Sequence, residues 1–213
     1  MLVIDPQGRV QSPRIKLAIS PAIERGDMKV IHGIIVHQTD SATAQSTLNG
    51  YKAPKPNGAH FLIDKDGTIY QTASVFKKTY HVGFIKSRCM AQHSCTPTEL
   101  AALKGKSVGA GIGKVEMKKD SPKRYPFNND AIGIENVSLA KAGANNQLVF
   151  EPLTQEQQDS LSWLINELTQ TLKVPMTEIF RHSEVSWKLE SEGATAKWGA
   201  AATPTAAQGA ASK

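Results

Sequence analysis

Four histidines lie where a strand meets a loop: His37 closes the apolar run "IIVHQTDS", His60 opens "GAHFLI", His81 sits in "YHVG", and His182 lies in "FRHSEV". A single histidine at a strand end is an ordinary packing residue. Four such placements are more than packing asks for. Hydrolysis at zinc needs three protein ligands drawn from His, Asp, Glu or Cys, with a position left open for a water whose pKa falls toward about 7. His37 and His182 with a carboxylate from "KLESEG" make such a set. The reaction also needs a group to take the water's proton and a donor or cation for the oxyanion. Glu135, at the end of "DAIGIENVSL", and Lys188 or His81 have the chemistry for those tasks.

These residues must be held by a fold, and the pattern is that of a mixed α/β chain. "KVIHGIIVHQT" predicts a buried strand, and "HFLIDKDGTIYQTAS" predicts two strands joined at the Asp66-Gly67 turn. Between them Ala44, Leu48 and Tyr51 fall at helical spacing. The clearest helix is "TQEQQDSLSWLINELTQTL": Thr154 and Gln157 form a capping box, and Leu161, Leu164, Ile165, Leu168 and Leu172 line one face. Pro175 ends that run, and Thr177 is placed to cap a further short turn. Residues 88–129 read as a long loop in which only "TPTELAALKG" is helical, and a long insertion in a compact domain usually serves function or moves.

The chain has 213 residues, enough for one domain with a substantial core, and we expect a single domain over 1–198 followed by an Ala/Thr/Pro tail or linker over 199–213. No stretch approaches the roughly 20 apolar residues of a membrane span, and the N-terminal residues lack a continuous apolar segment, so neither a span nor a cleavable signal peptide is expected. The formal charge is +6, but the lysines and arginines are scattered, without the aromatic interleaving of a single-strand binder; nucleic acid is therefore not the expected partner. Cys89 and Cys95 have no second cysteine pair to complete a zinc site, which leaves a local disulfide or two free thiols.

Taken in order, "IIVHQT", "GAHFLIDKDGTIYQ", "YHVG", "AIGIEN" and "RHSEVSWKLESEGATAKW" resemble the zinc-dependent N-acetylmuramoyl-L-alanine amidases, a family that includes bacterial wall-recycling enzymes, a phage amidase and animal peptidoglycan-recognition proteins. The resemblance spans roughly His32 to Trp198. It implies a mixed central sheet flanked by helices, Zn2+ in a groove at one edge, and cleavage of the amide between muramic acid and L-alanine in peptidoglycan.

Carried over by residue, His37 and His182 match the zinc histidines. The third ligand falls on Glu192 or Glu190, where the family usually has Asp or Cys, and Glu192 is preferred because it stands ten residues after His182 and precedes a glycine. Glu135 matches the carboxylate that orients or deprotonates the water, His81 a histidine that polarises the scissile carbonyl, and Lys188 the nearest substitute for a catalytic lysine. His60 is expected to be structural. Ala59 stands where the phage branch has tyrosine, which excludes a mechanism based on that phenol. The expected role is a bacterial cell-wall-degrading toxin or effector, monomeric, acting in the periplasm after delivery by a route such as type VI secretion, with an immunity protein as partner. The alternative is a muropeptide-recognition module on the same fold without catalysis. The toxin reading in turn favours the Cys89–Cys95 disulfide.

Overall fold

The computed structural model describes residues 1–143 and 146–199. In chain order it contains β1 (Val3–Ile4), β2 (Val10–Gln11), β3 (Ile15–Leu17), β4 (Glu24–Asp27), β5 (Gly33–Gln38), α1 (Ala44–Gly50), β6 (Phe61–Ile63), β7 (Ile69–Gln71), β8 (Lys77–Thr79), α2 (Arg88–Ala91), α3 (Pro97–Leu103), α4 (Ala110–Glu116), β9 (Ala131–Asn136), β10 (Ala140–Ala142), β11 (Leu148–Phe150), α5 (Gln155–Leu172), β12 (Ile179–Arg181) and α6 (His182–Val185). Six strands form the central sheet in the order β12-β5-β9-β6-β7-β3. Strands β12, β5, β9 and β6 run parallel, β7 turns back antiparallel to β6, and β3 lies parallel to β7.

Strand β5 is central and every one of its residues is buried. A strand covered on both faces must be apolar throughout rather than alternating, which is why "GIIV" reads as a continuous run. On one face Ile34 and Val36 join Ile132, Ile134, Phe61 and Ile63 against the α5 stripe of Leu161, Leu164, Ile165 and Leu168. The α5 capping box at Thr154 and Gln157 is formed as its sequence predicts. On the other face Ile35 packs with Val82, Ile85, Tyr125, Phe127 and Val185. His37 lies two residues beyond Ile35 on that same face. Its strand partner is Glu135, and Glu135 in turn pairs with Leu62. Leu62 is covered by Ala44 and Leu48 of α1. The groove opens between these two covers, along the row that carries His37 and Glu135.

Two sequence expectations are corrected. Residues 88–129 hold three helices, of which only α3, with its Thr96–Glu99 capping box, was legible. Helix α4 begins in "GAGIG", and glycine content of that kind argues against a helix until packing supplies the stabilisation. Thr177 caps nothing; it lies inside a 3-10 turn, Met176–Glu178, that follows Pro175 without a side-chain cap. The first 31 residues contribute four strands, one of which, β3, becomes a sheet edge. The expected tail from residue 200 onward lies outside the described residues. No helix among those described is long and apolar enough to cross a membrane.

The insertion is tied to the sheet by charge as well as by packing. Arg88 makes two 2.8 Å bonds to the Glu178 carboxylate, and Arg124 reaches Asp130 at 2.7 Å. Cys89 and Cys95 form a disulfide across six residues of sequence. So short a loop contributes less than the roughly 3 kcal/mol attributed to a 15-residue loop. Reduction should therefore speed amide hydrogen exchange in α2 and α3 while β5 and β9 stay protected. Loss of protection throughout the sheet on reduction would contradict this.

Candidate metal centre

Among the described residues, one group of three potential metal ligands converges: His37, His182 and Glu192, all buried. Each comes from the end of an element. His37 stands one residue before the end of β5, and His182 is the first residue of α6, directly after its neighbour strand β12. Because β12 and β5 are adjacent and parallel, their C-terminal ends bring the two imidazoles together. Glu192 is delivered by a turn whose next residue, Gly193, has φ +76°, a conformation that favours glycine.

That turn is pinned from several directions. Gln38 Oε1 accepts from Gly193 N, while Gln38 Nε2 donates to Ser138 Oγ and to the Glu151 carbonyl. Arg181 Nε donates to the Gly193 carbonyl, and Ser183 Oγ donates to that of Glu192 itself. Gln38 was not singled out from the sequence, and nothing in "HQT" separates a clamp from a solvated polar residue. Glu190, by contrast, is exposed and faces away with Leu189 and Val149. The turn thus brings Glu192, and not Glu190, to the two histidines.

The three atoms that converge are His37 Nδ1, His182 Nδ1 and Glu192 Oε1. His182 Nδ1 lies 2.8 Å from each of the others, and His37 Nδ1 is 3.6 Å from Glu192 Oε1. Three zinc bonds of about 2.0–2.2 Å at tetrahedral angles set edges of about 3.3–3.6 Å, near the longest observed separation and a few tenths of an ångström or more above the two shorter ones. Burial, and then the neighbouring His182, push His37 down to about 4. Burial alone would raise the Glu192 carboxyl, but the hydrogen bond with His182 and the nearness of His37 outweigh it and hold it at about 2. A carboxylate and an uncharged imidazole are the forms a cation requires. His182 Nε2 is buried with no partner among the described residues, so a proton leaving Nδ1 has a nitrogen to occupy. The donor set fits zinc.

The centre opens into a cavity of about 610 Å³ whose lining includes Glu135, Lys188, His81 and Tyr51. Burial, and then Glu192, raise the Glu135 carboxyl to about 8, against the lowering effect of Lys188. Glu135 Oε2 has no hydrogen-bond partner among the described residues. Lys188 is exposed at the rim. His81 also lines the cavity, but both its nitrogens are engaged within the protein: Nδ1 lies 2.9 Å from His37 Nε2 and Nε2 lies 3.2 Å from the Ala131 carbonyl. Neither is free to polarise a substrate carbonyl, the role its sequence position implies. His60 is fully engaged too, donating to the Lys77 carbonyl and accepting from Gly133 N, as a structural residue should. At Ala59 the backbone N donates to Tyr51 Oη at 3.4 Å.

Two histidines and a carboxylate at the head of a groove, with a recessed carboxyl and a lysine alongside, are the residue types that metal-dependent hydrolases use. The profile of the N-acetylmuramoyl-L-alanine amidase family matches residues 27–199, and the chain belongs to that family. Among solved structures it is similar to the catalytic domain of XlyA, at 19% identity over 82% of this chain and 87% of that one, with a TM-score of 0.48. It is similar also to the N-acetylmuramoyl-L-alanine amidase LysC from Clostridium intestinale URNW, at 18% identity over 83% and 87%, with a TM-score of 0.43. A third is AmpDH3 from Pseudomonas aeruginosa in complex with an anhydromuramic pentapeptide, at 16% identity over 87% of this chain and 58% of that one, with a TM-score of 0.49. None of the curated proteins matches the chain.

If Glu192 is the third ligand, Glu192→Ala should lower zinc affinity by orders of magnitude, whereas Glu190→Ala should leave it within about twofold of wild type. Competition against a chromophoric chelator measures both. The reverse pattern would move the ligand to Glu190.

Proposed function

We propose that the chain is a zinc-dependent peptidoglycan amidase that hydrolyses the amide between N-acetylmuramic acid and the L-alanine of the stem peptide. The observation that carries this reading is the convergence of His37 Nδ1, His182 Nδ1 and Glu192 Oε1 at the head of an open groove, beside a carboxyl with an unpartnered oxygen. His37, His182 and Glu192 would hold the zinc, which would supply a Lewis acid for the scissile carbonyl and acidify a water for attack.

The chain's own residues do the rest. In its ionised form, which the neighbouring Lys188 ammonium favours, Glu135 accepts the proton of the attacking water; burial, by raising the carboxyl, strengthens it as a base, and it then hands that proton to the departing amine of L-alanine. Lys188, at the rim, offers a cation to the oxyanion of the tetrahedral intermediate. Tyr51 and the α1 cover wall the groove on the Glu135 side and limit water there. The intact ligand set favours catalysis over a muropeptide-recognition module that lacks a metal.

We further read the enzyme as a bacterial cell-wall-degrading toxin or effector, monomeric, acting in the periplasm after delivery by a secretion system such as type VI, and neutralised in its producer by an immunity protein. The Cys89–Cys95 disulfide supports work in an oxidising compartment.

Mass spectrometry of digested sacculi tests the reaction. Free stem peptides that begin with L-alanine, together with peptide-free glycan, are expected from the wild type and absent after chelation. Glu135→Gln should retain zinc and lose about 10²-fold or more in kcat. Release of disaccharide-peptides instead would mean that the glycan rather than the amide is cut.

A further inference from the structure

The two bonds of His81 define a relay that ends on a metal ligand. The Ala131 carbonyl can only accept, so His81 Nε2, 3.2 Å away, carries the ring's hydrogen and leaves Nδ1 bare. Bare Nδ1 lies 2.9 Å from His37 Nε2, which must then be the donor. At the other end, the Glu192 carboxylate 2.8 Å from His182 Nδ1 requires a hydrogen on that nitrogen. His37 Nδ1, also 2.8 Å from His182 Nδ1, has no room for a second hydrogen between them and must accept. Both ends of the network give the same tautomer for His37: hydrogen on Nε2, lone pair on Nδ1, aimed into the ligand triangle.

We infer that His81 is a positioning residue that fixes the tautomer and ring orientation of His37, presenting its Nδ1 lone pair to the metal. The relay has a competitor to overcome. Glu192 Oε1 lies 3.6 Å from His37 Nδ1 and would draw a hydrogen onto it, blocking the ligand atom. An acceptor at Nε2 opposes that switch. Metal-bound histidines usually donate their second N–H to a carboxylate, carbonyl or water; here the acceptor is a second imidazole, itself anchored to backbone.

The structure is built around that imidazole. Gly133, on β9, is the position over which the His81 ring lies: a Cβ there would stand 2.8 Å from ring atoms. Asn128 clamps the loop, accepting from His81 N and Val82 N and donating to the Val82 carbonyl. Two features therefore converge on placing a ring whose two nitrogens are both engaged within the protein.

The inference rests on the reading of His37 as a metal ligand, but the tautomer can be read without metal. Long-range 1H–15N NMR on the histidine-labelled, metal-free protein should show His37 protonated on Nε2. In His81→Ala it should shift to Nδ1 protonation or a mixture, and zinc affinity should fall by about 10–100-fold. His81→Gln, whose amide can accept from His37 and donate to Ala131, should restore much of both. Gly133→Ala should reproduce the defect with His81 still present.

Wild-type affinity together with an unchanged His37 tautomer in His81→Ala would overturn the inference. A fall in kcat with affinity intact would overturn it too and return His81 to direct contact with substrate. Should the wild type bind no zinc while the tautomer still depends on His81, the metal reading fails and the relay stands.

Discussion

Three electron-rich atoms held within 2.8 to 3.6 Å of one another, away from water, are the constraint on which the rest of the structure depends. Without a cation or a proton among them they repel, and burial strengthens that repulsion. A chain that keeps them together must fix each from behind. For His182 this is the start of α6 after β12; for Glu192 it is a turn tied by Gln38, Arg181 and Ser183; for His37 it is a central strand with His81 against its far nitrogen. Much of the polar bonding at the groove end of the sheet serves these three attachments.

The sheet separates two tasks by face. Side chains at Ile34, Val36, Ile132 and Ile134 bury against α5 and supply stability. Alternate positions, Ile35, Gly133, His37 and Glu135, lie on the opposite face and grade from core to chemistry along the strands. Covering that face completely would close the site. The α1 segment and the 82–127 segment instead cover it from two sides and leave a groove over Glu135, where desolvation shapes the carboxyl without removing access.

What was legible in the sequence follows from how locally each feature is determined. The β5 run, the Asp66-Gly67 hairpin and α5 announce themselves through periodicity, a turn with Gly67 at φ +80° and a capping box, all set within a few residues. The placing of His37 and His182 was legible because both lie where a strand ends. Helix α4 and strand β3 were not, because each depends on distant partners: α4 packs Gly113 against Phe84, and β3 gains its place only by pairing with β7. Glu192 rather than Glu190 could be argued from Gly193, since a turn sends neighbouring carboxylates in different directions. Asn128 and Gln38 left no local signal. Gly133 did: a glycine among β-branched residues in a strand marks a close approach, here by the His81 ring.

The triangle of His37, His182 and Glu192 is tested directly by a crystal of the zinc-loaded protein measured at the zinc absorption edge. One anomalous peak is expected, about 2.0–2.2 Å from His37 Nδ1, His182 Nδ1 and Glu192 Oε1, with a further position open toward Glu135 and the groove. A peak bound through other residues, or none at that place in protein that is active on sacculi, would contradict it.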